Sequence, residues 1–228
     1  MKKISKVSLA VGLCTGLAGA ALPAWAAGGH HAVDDAALLE PGQCQLETWL
    51  EREAGSARRL LHLGPACRVG PVELGLNLDR QRPGEAGTST TLVGPQLKWA
   101  HALTERLSVG IAAAASWQGP GARYQGSSLV LPLSLQLSDQ WQAHINLGRD
   151  FRAGQADGSR AGAALEWTPN AAWSFMGEGF RDGGTRHWRL GGRWNLRPGL
   201  SLDLSRARGL GAQPAAWWTL GLNAVIDR

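Results

Sequence analysis

The chain has 228 residues, 44% of them hydrophobic and 18% charged, with 23 basic and 18 acidic side chains. That length suits one domain, and the absence of a basic run argues against nucleic acid as a partner. Beyond residue 26 nothing approaches the roughly 18 consecutive apolar residues of a membrane-spanning helix, which excludes an α-helical membrane protein.

Lys2, Lys3 and Lys6 precede a small, apolar stretch at 7–22, and Ala24-Trp25-Ala26 fits an A-x-A cleavage site. Residues 1–26 are therefore expected to be a secretory signal peptide. Cys14 follows Leu13, where lipid attachment wants a small residue, so no lipid anchor is expected. Without the three lysines the balance is 20 basic against 18 acidic groups, a net charge of +2 (23 − 3 = 20; 20 − 18 = 2). Lys98 is then the one lysine left.

Residues 27–41, AGGHHAVDDAALLEP, have no clean periodicity. They are expected to lie in the periplasm or to tuck into the mouth of the domain at 42–228. His30-His31 with Asp34-Asp35 holds imidazoles and carboxylates suited to a divalent cation. The spacing matches no closed site, so a solvated polar tail is the simpler reading, and neither metal nor cofactor is expected.

From residue 43 the period becomes two. Strands are expected at 43–54, 58–67, 72–82, 89–100, 107–117, 127–138, 141–152, 160–167, 173–181, 186–196, 200–205 and 218–226. The clearest pair is 127–152. Leu129, Leu131, Leu133, Leu135 and Leu137 occupy alternate positions, Ser138-Asp139-Gln140 turns, and Trp141, Ala143, Ile145 and Leu147 continue the apolar face. Each arm is about ten residues, the length a tilted strand needs to cross a bilayer. Pro65 is expected to force a bulge or strand edge, and 173–181 is the weakest alternation. Long loops are expected at 119–126, 153–158 and 207–214, alternating with short turns at 138–140, 168–172 and 197–199. If Gly55-Ser56 is a two-residue turn, partners across the first hairpin sum to 111, which sets Cys44 opposite Cys67. An exported chain enters an oxidising compartment, so a Cys44–Cys67 disulfide is expected.

The pattern implies an all-β, antiparallel up-and-down transmembrane β-barrel of about twelve strands. A soluble sandwich or lipocalin-like barrel would hide the same leucines inside. Three features favour the membrane. The polar faces carry Gln, Asn, Asp, Glu, His and Arg, too polar for a dry core. Tryptophans gather near strand ends, with Trp99, Trp141, Trp167, Trp173 and Trp194 on the short-turn side and Trp117, Trp188, Trp217 and Trp218 on the other. Closure would also leave no unpaired edge in lipid.

From 43 to 226 the chain resembles small bacterial outer-membrane barrels of the transporter and channel type. The likeness rests on pattern, leader and tryptophan girdles. One departure is the end, Ala224-Val225-Ile226-Asp227-Arg228, where such barrels usually carry an aromatic residue. The resemblance implies outer-membrane lipid and the outer-membrane assembly machinery as partners.

If the leucines face lipid, the lumen is lined by Glu47, Glu51, Glu73, Asp79, Lys98, His144, Asp150, Arg160, Glu166, Glu178, His187, Arg189, Arg193 and Asp203. Such charges tune passage through a wide pore and neutralise one another in a narrow one. A serine hydrolase would need a Ser–His pair with an orienting carboxylate or amide. His144-Ile145-Asn146 has no serine two residues on, and His62 and His187 show no carboxylate mate in sequence. An enzyme is therefore not expected. The first reading is passive passage of a small-molecule solute; the second is a non-conducting structural or binding barrel.

Overall fold

The computed structural model describes residues 30–84, 87–211 and 214–227. The expected signal peptide lies outside them. Twelve strands follow one another: β1 (Gln43–Glu53), β2 (Arg59–Val69), β3 (Val72–Arg82), β4 (Thr90–Ala102), β5 (Leu107–Gly119), β6 (Arg123–Gln136), β7 (Trp141–Arg152), β8 (Gly158–Asn170), β9 (Trp173–Asp182), β10 (Thr185–Arg197), β11 (Leu200–Leu210) and β12 (Ala216–Asp227). Each pairs antiparallel with its chain neighbour, and β1 pairs with β12 from Gln43↔Asp227 to Glu53↔Trp217. The sheet is thus a closed barrel with every edge satisfied, as an apolar solvent requires. Among the described residues no helix is long and apolar enough to cross a membrane. The spanning elements are the strands.

Alternation decides the faces. Leu46, Leu50, Leu61, Leu74, Leu97, Leu129, Leu131, Ile145, Leu147, Leu165, Leu190, Leu204 and Leu220 are all exposed on the outside. The buried set is polar instead, and includes Glu73, His144, Asn146, Glu178, Arg189, Asp203 and Thr219. This inside-out distribution belongs to a bilayer-spanning barrel, because water would not tolerate so large an apolar belt. At the short-turn end Trp141, Trp167, Phe175, Trp173 and Trp194 form a run of rings with centroids 5.8, 5.7, 6.1 and 5.7 Å apart. Amphipathic rings at that height match a membrane interface.

The disulfide joins Cys44 to Cys67, which are register partners across β1 and β2. The turn between β9 and β10 is Gly183-Gly184 with φ of +58° and +90°, the left-handed pair that lets a two-residue hairpin follow the strand twist.

Several expectations need correction. The loops expected at 119–126 and 207–214 are shorter: β6 begins at Arg123, and β11 runs on to Leu210. Glycine, alanine and polar residues at those strand ends, such as Gln125-Gly126 and Ala207-Arg208-Gly209, hide the alternation. The β5–β6 register shifts at Ser116/Trp117, where Ser116 pairs with Gly126 and Trp117 with Tyr124. Pro65 forms neither bulge nor edge. Against β3 the ladder skips Gly64-Pro65 and resumes in the same register, from Leu63↔Leu78 to Ala66↔Gly75. Proline lacks the donor for that bond but the chain stays extended. β8 extends through Pro169 to Asn170, whose side-chain oxygen accepts from Ala172 N at 2.9 Å and Trp173 N at 3.1 Å to make the turn. β9, weak in sequence, is a full strand, with Met176 and Phe180 turned inward on the face of Ser174 and Glu178. Trp217 shares the inner face with buried Thr219 and does not join the outer girdle. Its ring lies edge-on to His187 at 5.5 Å.

Candidate functional site

Residues 30–42 do not form a solvated tail. Residues 30–39 run inside the barrel while Glu40, Pro41 and Gly42 are exposed at the start of β1, and His30, Val33, Asp35, Ala36 and Leu39 are buried. An extended segment brings backbone donors and acceptors that need partners in a low-dielectric interior. The polar faces of the strands supply them. Glu178 of β9 accepts from Val33 N at 2.8 Å and from Ala32 N at 3.1 Å. Arg189 of β10 donates to the His30 carbonyl. Ser134 of β6 accepts from Ala36 N at 2.8 Å, and Glu73 of β3 accepts from Leu39 N at 3.2 Å. Arg68 of β2 donates to Leu39 O at 2.7 Å. Asn146 of β7, its amide nitrogen facing the Asp34 carbonyl, donates to Asp34 O at 2.8 Å and accepts from Asp34 N at 2.6 Å.

Side chains add to this. Lys98 Nζ lies 2.9 Å from Asp34 Oδ1 and 2.7 Å from Asp35 Oδ1. Val33 is fully buried against Ala164, Met176 and Phe180. A Cβ at Gly162 would stand 2.6 Å from Val33 Cγ2, so only glycine leaves room for the segment there. The imidazoles part company with the aspartates: His30 Nδ1 lies 3.8 Å from Asp203 and His31 Nδ1 3.6 Å from Glu178. The possible cation ligands 30, 31, 34 and 35 are thus drawn to separate partners. Burial pushes the His30 pKa well below 6.5, with His31, Arg189 and Arg193 adding to the shift.

None of the fourteen charged residues singled out in sequence is exposed, and most are tied to one another or to the segment. Arg189 reaches Glu178 at 3.4 Å and Glu51 at 3.6 Å. Arg193 grips Asp203 through Nε at 2.7 Å and Nη2 at 2.9 Å. Arg160 pairs with Asp150 at 3.1 Å, and Arg152 stands 3.8 Å from the same carboxylate. His187 stacks on Phe180 at 5.0 Å. His144 bridges Ser134 at 2.8 Å and Glu166 at 3.6 Å. Glu47 lines the open space described below.

Two corrections concern histidine. His62 does have a carboxylate mate: Asp79, its register partner on β3, at 2.7 Å. Its ring also stacks on the inward Trp49, with centroids 3.6 Å apart. A Ser–His pair also exists, across the β6–β7 hairpin rather than along one strand, with Glu166 beyond it. Ser134 and His144 are buried, and the Ser134 oxygen is capped by Ala36 N, so the trio fixes the segment rather than presenting a nucleophile. Cross-strand pairs like these follow from register and cannot be found by reading one strand.

The segment leaves part of the lumen empty. A cavity of about 650 Å³ remains, bounded by the walls of β1–β8 and by His31, Ala32 and Asp34. Deep in it stand Glu47, Glu73 and Lys98; Trp49, His62 and Asp79 form one wall; Asp150, Arg152 and Arg160 stand nearer the loop end. Ala112 and Ala114 of β5, which share the inner face with Lys98, contribute small side chains that keep the space open. The surface offers carboxylates, amides and guanidinium groups, suited to a hydrated polar solute.

The barrel is similar to solved porins at low identity. The KdgM porin superposes with a TM-score of 0.65 at 7% identity, covering 79% of this chain and 98% of that one. The NanC porin gives 0.57 at 9% identity, over 78% and 98%. The Ralstonia pickettii toluene transporter TbuX gives 0.54 at 12% identity, over 83% and 79%. At these identities the likeness is one of fold. No curated protein matches the sequence. A family model spanning residues 17–226 does match, and the chain belongs to the family described as "Uncharacterised conserved protein UCP029691".

Proposed function

We propose that the chain is exported by a cleaved leader at 1–26 and acts in the outer membrane as a passive channel for a small polar solute. The observation that carries this is the polar cavity of about 650 Å³ inside a closed, lipid-compatible cylinder. Its inner charges would set which solutes enter, and no chemistry on the solute is required. The porin folds it resembles include one determined in complex with oligogalacturonate, which supports a lumen able to hold polar solutes.

A second reading has its own support. Residues 30–39 occupy part of the lumen through buried hydrogen bonds, as a non-conducting binding barrel would show. One experiment separates the two. The folded mature protein is placed in a planar bilayer and in swelling vesicles loaded with sugars of graded size. Ohmic conductance and size-limited swelling support the channel. A silent bilayer with folded protein, opened only by deleting residues 30–41, supports the binding barrel.

A further inference from the structure

The outer surface is unequal at its two ends. At the short-turn end the outward face carries tryptophan. At the loop end arginine is added to tryptophan. The strand registers set these arginines in a lateral row: Arg206 pairs with Trp218, Trp218 with Arg52, Arg52 with Arg59, and Arg59 with Arg82. The row therefore crosses β11, β12, β1, β2 and β3. Arg208 lies one outward position above it on β11, and Arg80 one below it on β3. All six are exposed. The Arg206 guanidinium lies over the Trp218 ring, 5.0 Å from its centroid.

Like charges directly opposite each other in a sheet repel. Arg52–Arg59–Arg82 places three in succession. Among the described residues none of the six has an acidic partner: Glu51, Glu53 and Asp79, their neighbours along the strands, have inward parity. The row is thus a standing positive surface without counter-ions among the described residues. Directly beneath it runs an apolar row in the same registers, Leu204↔Leu220, Leu220↔Leu50 and Leu50↔Leu61. Its members are 54%, 56%, 44% and 49% exposed.

We propose that this face binds the phosphate groups of a phosphorylated lipid of the surrounding leaflet. Guanidinium forks match phosphate oxygens bidentately and are weakly hydrated, so several in a row can share one or two headgroups. The adjoining leucines would take the acyl chains of the same molecule. A free phosphate ion could use only the upper row, which is why the lipid is the occupant favoured. The proposal rests on the membrane reading of the barrel but not on conduction.

The test uses the full mature chain refolded into nanodiscs, with heat-modifiable gel mobility reporting that the barrel is closed. Three compositions are compared: phosphatidylcholine alone, phosphatidylcholine with bisphosphorylated lipid A, and phosphatidylcholine with dephosphorylated lipid A. Lipid retained on extraction is counted by native mass spectrometry. The proposal expects several-fold enrichment of lipid A, loss of that enrichment with the dephosphorylated form, and its loss in R52Q/R59Q/R82Q/R206Q. Inorganic phosphate at millimolar level should displace little of it. Should the quadruple variant fail to close, the single variants R59Q and R82Q, each leaving the pairs beside it, must show graded losses. Equal retention of the two lipid A forms, or wild-type enrichment in the folded variants, overturns the proposal. Failure of the wild-type chain to fold in phosphatidylcholine alone overturns the membrane reading beneath it.

Discussion

The two halves of the lumen solve the same problem differently. On the β8–β12 side the inner face is filled by residues 30–33. Glu178 and Arg189 engage backbone groups and each other, and Val33 packs on Ala164, Met176 and Phe180. On the β1–β6 side the inner face carries comparable charge, and beyond the contacts of residues 34–39 with Glu73, Lys98 and Ser134 it stays open beside the small residues Gly94, Ala112 and Ala114. Charge therefore does not decide whether a barrel interior is a passage or a core. What decides it is whether an extra piece of chain supplies partners and volume.

Breaking the filled half should have the largest effect. Deleting residues 30–41 is expected to raise bilayer conductance severalfold while leaving the barrel closed, since every β1–β12 pair remains. Conductance unchanged by the deletion would mean that the segment does not limit the passage. Next comes Glu178→Ala, which removes the nearer of the two carboxylates beside Arg189 and the acceptor for two backbone donors. Losing one partner of a buried ion pair costs about 3–5 kcal/mol. The segment should undock, read as rapid thiol labelling of an Ala36→Cys reporter in the C44S/C67S background.

Covalent closure of the first hairpin tests the barrel apart from its contents. Cys44→Ser with Cys67→Ser should lower unfolding stability by about 3 kcal/mol on loop-entropy grounds, measured by urea denaturation in detergent. Labelling of the Ala36→Cys reporter should not change between that background and further variants of the loops. Within the open half, Glu47→Gln should leave stability almost untouched and shift the reversal potential toward anions. An unchanged potential would remove Glu47 from the passage.

The smallest effect sharpens the contrast through pH. His30 has its pKa lowered on docking, so the free segment binds a proton more readily than the docked one. Docking is strongest above 6.5 and weakens as pH falls below it, until the lowered value is reached. Reporter labelling should rise on mild acidification, and His30→Gln should flatten that rise.

Much of this could be read from residue order. Period two at 127–152 fixed which side chains share a face, and turn positions fixed register well enough to pair Cys44 with Cys67. Those are local consequences of strand geometry, in which each residue's direction follows from its neighbour's. Failures came where glycine, alanine or proline gave no apolar signal, as at 119–126, 207–214 and Pro65. The partners of His62, Ser134 and Glu178 were hidden for another reason: they belong to other strands or to residues 30–41. An aperiodic segment carries no mark of where it lies. Sequence alone determined a lipid-facing, disulfide-clipped antiparallel barrel, because alternation and chain reversal are short-range properties. Tertiary structure alone decided that half the lumen is packed and half is open. That depends on summing volume and hydrogen-bond partners across the whole interior.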